Sequence, residues 1–352
     1  MKRKIKISFI GCGKIFNKHY LAINRLKKSY EIDAVCDNKL NNFSKFNFSK
    51  KIKIFNNLKE LLLKTNSDVY VILTPSGHHY DNILEVGKKT KNIIVEKPLV
   101  INYEQSKKIN VYANKNKLNL FVVKQNRYNP SITYLKHAID TGRFGKIFFA
   151  SIRLRWKRDN KYFNSGKWRG TWKNDGGVLA NQASHHLDLI YWLIGDVKSV
   201  FTKSLKINNS TKAIDTIVSI IKFKNGTLGT VEATTATSPE DLGDTISILG
   251  SKGTVEIGGY AASQILYWKF FRKKPIDFKI QKLINKKNKI NKDGHFNFYK
   301  DIYNFINKKK NNIVRHPEAI KTIKLIDKIY ASSETSKEVF FNDSNYSVKL
   351  GR

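Results

Sequence analysis

The feature that most constrains the fold is Gly11-Cys12-Gly13, set between an alternating apolar stretch and a helix-forming one. Ile5-Lys6-Ile7-Ser8-Phe9-Ile10 has the period of two of a strand, and a helical stretch begins at Asn17. Two glycines at such a junction let the backbone turn and come close to a ligand that faces the helix N-terminus. This arrangement cradles a pyrophosphate, with Lys14 and Ile15 completing the turn. Phe16 stands where a third glycine usually allows tight helix–strand packing, so the helix is expected to sit slightly further from the strand. Ile32-Asp33-Ala34-Val35-Cys36 then reads as a second strand ending at Asp37. A carboxylate there can hold both ribose hydroxyls of NAD and repels the 2′-phosphate of NADP. NAD is therefore the expected cofactor, and an ordinary helix cap is the plain alternative role for Asp37.

Alternation continues along the first part. Strands are expected at 69–73, 92–95 and 118–123, with helices at 57–65, 79–88 and 106–115 between them. Such alternation implies a doubly wound parallel sheet, an N-terminal Rossmann domain spanning 1–124. Past Gly142 the pattern changes to longer strands at 147–157, 197–205, 216–223, 229–237, 244–249 and 254–257. Turn signals at Lys224-Asn225-Gly226 and Ser251-Lys252-Gly253 join some of them directly, which implies antiparallel pairing. Helices return at 296–308 and 317–334, and the residues from Asn342 on read as an ordinary tail. The expected fold class is α/β, with a C-terminal α/β domain (125–352) carrying a large open, mostly antiparallel sheet.

The 352 residues suffice for two domains, and 41% hydrophobic content suffices for two cores. No apolar run approaches the about 20 residues a membrane span needs. The basic start Met1-Lys2-Arg3-Lys4 runs straight into a strand, unlike a signal peptide. Two cysteines make no disulfide framework and suit a reducing cytoplasm. The net charge of +37 raises the question of nucleic acid. Its lysines are spread along the chain among asparagines, and the densest stretch, 270–292, carries no nucleic-acid motif. A solvated basic surface that attracts anionic metabolites is the expectation, without specific nucleic-acid binding.

Ligands of a doubly wound sheet bind at the carboxyl ends of its strands. Three polar turns fall there: Thr74-Pro75-Ser76-Gly77-His78-His79, Glu96-Lys97-Pro98 and Lys124-Gln125-Asn126-Arg127-Tyr128. Thr74 and Ser76 could touch cofactor phosphate or ribose, or simply make the turn. His79 could orient that loop. Lys97 would point into the cleft and could bond a substrate hydroxyl. Arg127 and Arg169 could grip pyrophosphate or carboxylate through the planar guanidinium fork, or face solvent. Arg155, Arg158, Tyr162 and Trp168 make a basic, aromatic stretch suited to a nucleotide-sugar pocket or to a subunit interface.

The second concentration of signal is Gly176-Gly177 followed by Asn181, His185 and Asp188. On an uninterrupted α-helix the spacing of four and then three places these side chains on one face. A polar face ahead of Leu189-Ile190-Tyr191-Trp192-Leu193-Ile194 points to a site, against the plain alternative of a packed helix with satisfied histidines. His185 suits a general base.

These words together resemble the Gfo/Idh/MocA oxidoreductases. The resemblance rests on Gly11-x-Gly13, Thr74-Pro75 with His79, Glu96-Lys97-Pro98, Trp168-Arg169, and Gly176-Gly177 through His185. Within that family the chain is most similar to UDP-N-acetylglucosaminuronate 3-dehydrogenases. The longer words for this are Val123-Lys124-Gln125-Asn126-Arg127-Tyr128-Asn129-Pro130, Trp168-Arg169-Gly170-Thr171-Trp172, Asn181-Gln182 with His185-His186, and Ala236-Thr237-Ser238-Pro239-Glu240-Asp241. The resemblance implies NAD-dependent oxidation of the 3-hydroxyl of a UDP-2-acetamido sugar for surface-polysaccharide synthesis. It implies a substrate lying between Lys97 and His185, which are then the catalytic pair. It adds Pro75, Ser76, Glu96, Gln125 and Arg169 to the cofactor residues, and Arg127, Tyr128, Arg155, Tyr162 and Asn181 to the substrate residues. It also implies a homo-dimer or homo-tetramer, no metal, and possible reoxidation of NADH by 2-oxoglutarate. Many members carry Asp four residues before the catalytic His; Asn181 stands there, so no Asp–His dyad is expected. The alternatives are oxidation of UDP-N-acetylglucosamine, oxidation of free sugars or inositols, and an NAD-sensing or polyanion-binding protein.

Overall fold

The computed structural model describes residues 3–259, 261–285 and 293–352, which divide into two compact units. The first unit begins with β1 (Ile5–Ile10), α1 (Phe16–Arg25), β2 (Tyr30–Cys36), β3 (Lys53–Phe55) and α2 (Leu58–Lys64). It continues through β4 (Val69–Ile72), α3 (His79–Gly87), β5 (Asn92–Val95), α4 (Tyr103–Lys115) and β6 (Asn119–Val122). The strands form one parallel sheet in the order β3-β2-β1-β4-β5-β6, the doubly wound arrangement expected from the alternation. The three residues of β3 carry too little periodicity to read from sequence. β4 and β5 are almost wholly buried, as strands covered on both faces must be.

The second unit holds α5 (Pro130–Asp140), β7 (Ile147–Arg155), α6 (Asn160–Asn164), α7 (Ser184–Ile194), β8 (Val197–Leu205), β9 (Thr216–Phe223) and β10 (Leu228–Thr234). β11 (Gly243–Gly250), β12 (Gly253–Gly258), β13 (Gln264–Phe270) and α8 (Pro275–Asn285) follow. With β14 (Val339–Phe340) at one edge, its eight-stranded sheet runs β13-β12-β11-β7-β10-β9-β8-β14, antiparallel except between β7 and β10. α7 packs against β7, whose Ala150, Ile152 and Leu154 are fully buried. The other face stays open, with Val218 and Ile220 of β9 about half exposed.

α9 (Gly294–Ile306) belongs to the first unit, although it lies far beyond the sequence boundary expected at 124. It packs on α1 and the start of β2: the Arg25 guanidinium of α1 lies 4.2 Å from the Phe296 ring centre, and the Tyr30 hydroxyl of β2 donates to the Tyr299 carbonyl at 2.7 Å. The residues after it pair with β6, through a bond from the Val122 N–H to the Val314 carbonyl at 3.0 Å. Nothing local in 293–320 announces this return, because the α9 partners His19 and Tyr30 lie 280 and 269 residues earlier. α10 (His316–Thr335) and β14 (Val339–Phe340) close the chain.

The tail from Asn342 is docked rather than loose. Fully buried Lys328 donates to the carbonyls of Asp343 and Asn345 at 2.6 and 2.8 Å, and the Ser347 N–H donates to Asp327 at 2.7 Å. Of the basic stretch 270–292, residues 286–292 lie outside the described residues. No helix among the described residues is long and apolar enough to cross a membrane.

Candidate active site

In the first unit, the glycine turn sits at the carboxyl end of β1. Gly11 has φ +96°, and a Cβ there would lie 2.8–2.9 Å from the backbone of Leu73 and Thr74. Only glycine fits such a contact. A Cβ at Gly13 would meet open space, which leaves room for a phosphate to approach the backbone. Lys14 is exposed and Ile15 half-buried at the start of α1. Phe16 is fully buried, with its ring edge-on to Phe9 at 5.2 Å and to Phe46 at 4.8 Å. An aromatic cluster thus fills the position where a third glycine usually stands.

Asp37 follows β2 and turns back to this loop. One carboxylate oxygen accepts from the Cys12 N–H at 2.7 Å and from the Asn42 side chain at 2.9 Å, and the other accepts from the Lys39 N–H at 2.8 Å. The acid that would recognise ribose is thereby held at the glycine turn. Asp37→Ala is expected to weaken NAD binding about tenfold, the order of one charge-assisted hydrogen bond, and to narrow discrimination against NADP. Titration of both dinucleotides by fluorescence checks this; unchanged selectivity would assign Asp37 to the loop alone.

The turns after β4 and β5 are joined by His79. Its ring nitrogens face the Pro98 and Thr74 carbonyl oxygens at 2.7 and 2.9 Å, and burial pushes its pKa below the usual imidazole value. His79 therefore clasps two loops. Thr74 accepts from the Asn82 amide at 2.9 Å, while Pro75 and Ser76 are half-buried beside it. Lys97 is half-buried and precedes a cis peptide to Pro98. Glu96, expected among the cofactor residues, turns inward: its Oε1 accepts from His19 Nε2 at 2.9 Å and its Oε2 from the Lys97 N–H at 3.0 Å. His19, Glu96 and His295 each bring one metal-ligating atom within 4.8 Å of the others, a group that sequence spacing does not reveal. Gln125 opens a short helical turn ending at Tyr128.

In the second unit, Gly176 and Gly177 both have positive φ, and a Cβ at Gly177 would lie 2.7 Å from the Ile214 carbonyl oxygen. They start a π-helical turn, Val178–Gln182, and α7 begins only at Ser184. The uninterrupted helix expected to align Asn181, His185 and Asp188 is therefore absent. A π turn inserts a residue into the helical phase, and such turns recur at functional sites. Asp188 is not part of a polar face: it is buried and takes the Arg127 guanidinium through bonds of 2.7 and 2.9 Å. Arg127 also lies over Trp192 at 4.7 Å. Its Nε and Nη2 are thus engaged by Asp188 within the second unit. His186 is buried and bonds Asp244 at 2.6 Å, whereas His185 remains half-buried.

Asn181 is drawn instead toward Tyr162, whose hydroxyl lies 3.5 Å from the Asn181 amide, 3.2 Å from the Gln182 amide and 2.6 Å from the Arg169 guanidinium. Arg169 is sandwiched between the rings of Tyr162 and Trp168 at 4.4 and 4.5 Å. Sequence reasoning missed Gln182, which shares the polar word of Asn181. Arg155 does not join this cluster. It alternates with Leu154, so it lies on the open face of the sheet, paired to Glu232 at 2.8 Å.

Two family models match the sequence: "Oxidoreductase family, NAD-binding Rossmann fold" over residues 5–124, and "GFO/IDH/MocA C-terminal domain" over 132–256. The WlbA dehydrogenase from Bordetella pertussis, solved in complex with NADH and UDP-GlcNAcA, is 32% identical with a TM-score of 0.91, covering 97% of this chain and 98% of that one. The WlbA enzyme of Chromobacterium violaceum, solved with the same two ligands, is 31% identical with a TM-score of 0.90, covering 98% of both chains. Among curated proteins, scyllo-inositol 2-dehydrogenase (NAD(+)) of Bacillus subtilis is 27% identical over 205 residues. That match spans 56% of this chain and 57% of that protein, so the chain aligns to little more than half the length of this relative.

Proposed function

This chain belongs to the Gfo/Idh/MocA oxidoreductase family, and from that premise we propose that it oxidises the 3-hydroxyl of UDP-N-acetylglucosaminuronate with NAD. The observation that carries this reading is the likeness to the WlbA dehydrogenases along 97% of the chain, at 32% identity. The glycine turn fits the cofactor, with a required glycine at 11 and open space at 13. Backbone at Gly11, Gly13, Lys14 and Ile15 would hold the pyrophosphate and Asp37 the ribose, with Thr74, Pro75, Ser76, Gln125 and Arg169 completing the cofactor contacts. NAD, when bound, accepts the hydride from C3 of the sugar.

The protein groups manage the proton and the charge. His185 takes the proton from O3, and Lys97 donates a hydrogen bond to the same oxygen as alkoxide character develops. Asn181, Tyr162 and Tyr128 orient the sugar; an Asn at 181 offers hydrogen bonds but takes no proton. The product is the 3-keto sugar, suited to an aminotransferase that prepares surface polysaccharide, and 2-oxoglutarate would regenerate NAD. The working form is a cytoplasmic homo-dimer or homo-tetramer.

The test mixes the purified protein with NAD and UDP-N-acetylglucosaminuronate, with UDP-N-acetylglucosamine and inositol in parallel. NADH absorbance and loss of two hydrogens by mass spectrometry are followed. Turnover confined to the uronate is expected. Turnover of inositol alone would transfer the protein to the activity of its curated relatives, and NAD binding with no turnover of any of the three would refute the reading.

A further inference from the structure

The inward turn of Glu96 has a further meaning for Lys97, and it rests on the catalytic role proposed for that lysine. Glu96 is 6% exposed, His19 is fully buried and His295 is 6% exposed. Burial alone would raise the carboxyl pKa, but the hydrogen bond from His19 and the nearby His295 ring hold it well below the usual range. Burial pushes His19 down to about 4, so its ring is neutral. Burial likewise raises the Tyr299 hydroxyl well above its ordinary value, which keeps its proton in place. One proton arrangement satisfies Tyr299, His19 and Glu96 together. Tyr299 O–H donates to His19 Nδ1 at 2.7 Å, His19 Nε2–H donates to Glu96 Oε1 at 2.9 Å, and the Lys97 N–H donates to Glu96 Oε2 at 3.0 Å. His295 Nε2 lies 3.6 Å from Oε1, beyond a normal hydrogen bond, and stacks edge-on to His19 at 4.7 Å.

The chain therefore invests a buried ionised carboxylate immediately before Lys97. A charge of this kind is costly unless it is fully bonded, and a protein retains it where it specifies a geometry. The carboxylate ties α1, behind the glycine turn, to the end of β5, and through His19 it is linked on to Tyr299 of α9. We infer that Glu96 is a positioning residue for Lys97, and that His19, Tyr299 and His295 hold Glu96 in its charged, oriented form. On this assignment the amine reaches its substrate oxygen because the backbone at 97 is tied from below.

The test compares wild type with Glu96→Gln, which keeps the shape and one acceptor oxygen but removes the charge, and with Tyr299→Phe, which removes a single hydroxyl. Glu96→Gln is expected to lower kcat about 10- to 100-fold, the loss of one or two charge-assisted bonds, with KM for the sugar and Kd for NAD changed less than about twofold. Tyr299→Phe is expected to give a smaller loss with the same split. A second readout needs no substrate: the rate at which acetic anhydride labels Lys97, read by mass spectrometry against the other lysines. That rate is expected to rise in Glu96→Gln, as the backbone tether loosens. A variant that melts earlier but keeps wild-type kcat and wild-type labelling of Lys97 would show a purely structural network and overturn the assignment. If wild type oxidises none of the sugars, the proposed reaction fails, while the labelling comparison still decides whether Glu96 governs Lys97.

Discussion

Replacing Lys97 by Met is expected to lower kcat by about a thousandfold, the order of losing one electrostatic stabiliser of developing alkoxide charge. His185→Asn is expected to cost about as much, through loss of the proton acceptor. NAD should stay bound in both, because the glycine turn and Asp37 are untouched. The double variant is the sharper measurement. Two groups acting on one oxygen are not additive, so removing both should cost little more than removing either. Full multiplication of the two losses would place Lys97 and His185 on different steps. Near-normal rates in both single variants would remove the mechanism.

Asp188→Ala is expected to destabilise the protein by about 3–5 kcal/mol, as when one partner of a buried ion pair is removed. The Arg127 and Asp188 side chains are only 10% and 2% exposed, and Thr322 also donates to Asp188 at 3.1 Å. Without the carboxylate, the guanidinium is left charged in the interior. Urea unfolding followed by tryptophan fluorescence checks this, and a loss under about 1 kcal/mol would mean that Arg127 finds another partner or reaches water. Such a result would also favour Arg127 as a substrate ligand.

The two predictions mark where sequence was legible and where it was not. The glycine turn, Asp37 and the strands from β4 to β6 could be read because their signals are local: a period of two, a glycine pair, an acid at a strand end. β8 and β9 were read to the residue, and β9 shows the alternating burial of a half-exposed strand. Arg127 and Asp188 could not be paired by any local rule, being 61 positions apart. The π turn was invisible for a different reason. A helical wheel assumes one phase, and Gly176-Gly177 signals only that the backbone bends, not that a residue is inserted. Strand parity puts Arg155 apart from the Tyr162 cluster: it shares a side with Arg153, not with Leu154, which faces the interior. His19 went unremarked because a lone histidine on an apolar helix carries no chemistry until Glu96 and Tyr299 are seen beside it.

The first unit is discontinuous in the chain, and this sets an order of events during synthesis. β1 to β6 leave the ribosome early, yet the helix carrying His295 and Tyr299, and the segment that pairs with β6, come only after the whole eight-stranded sheet except its last strand has been made. Until then Glu96 lacks part of its surroundings, and the outer edge of β6 has no partner. The nascent cofactor unit must wait, open along one edge, for a piece that arrives last. A fragment ending at Gln125 would keep that edge permanently bare, so excision of this half as a stand-alone dinucleotide binder should yield an aggregating product unless 293–320 is grafted back onto it.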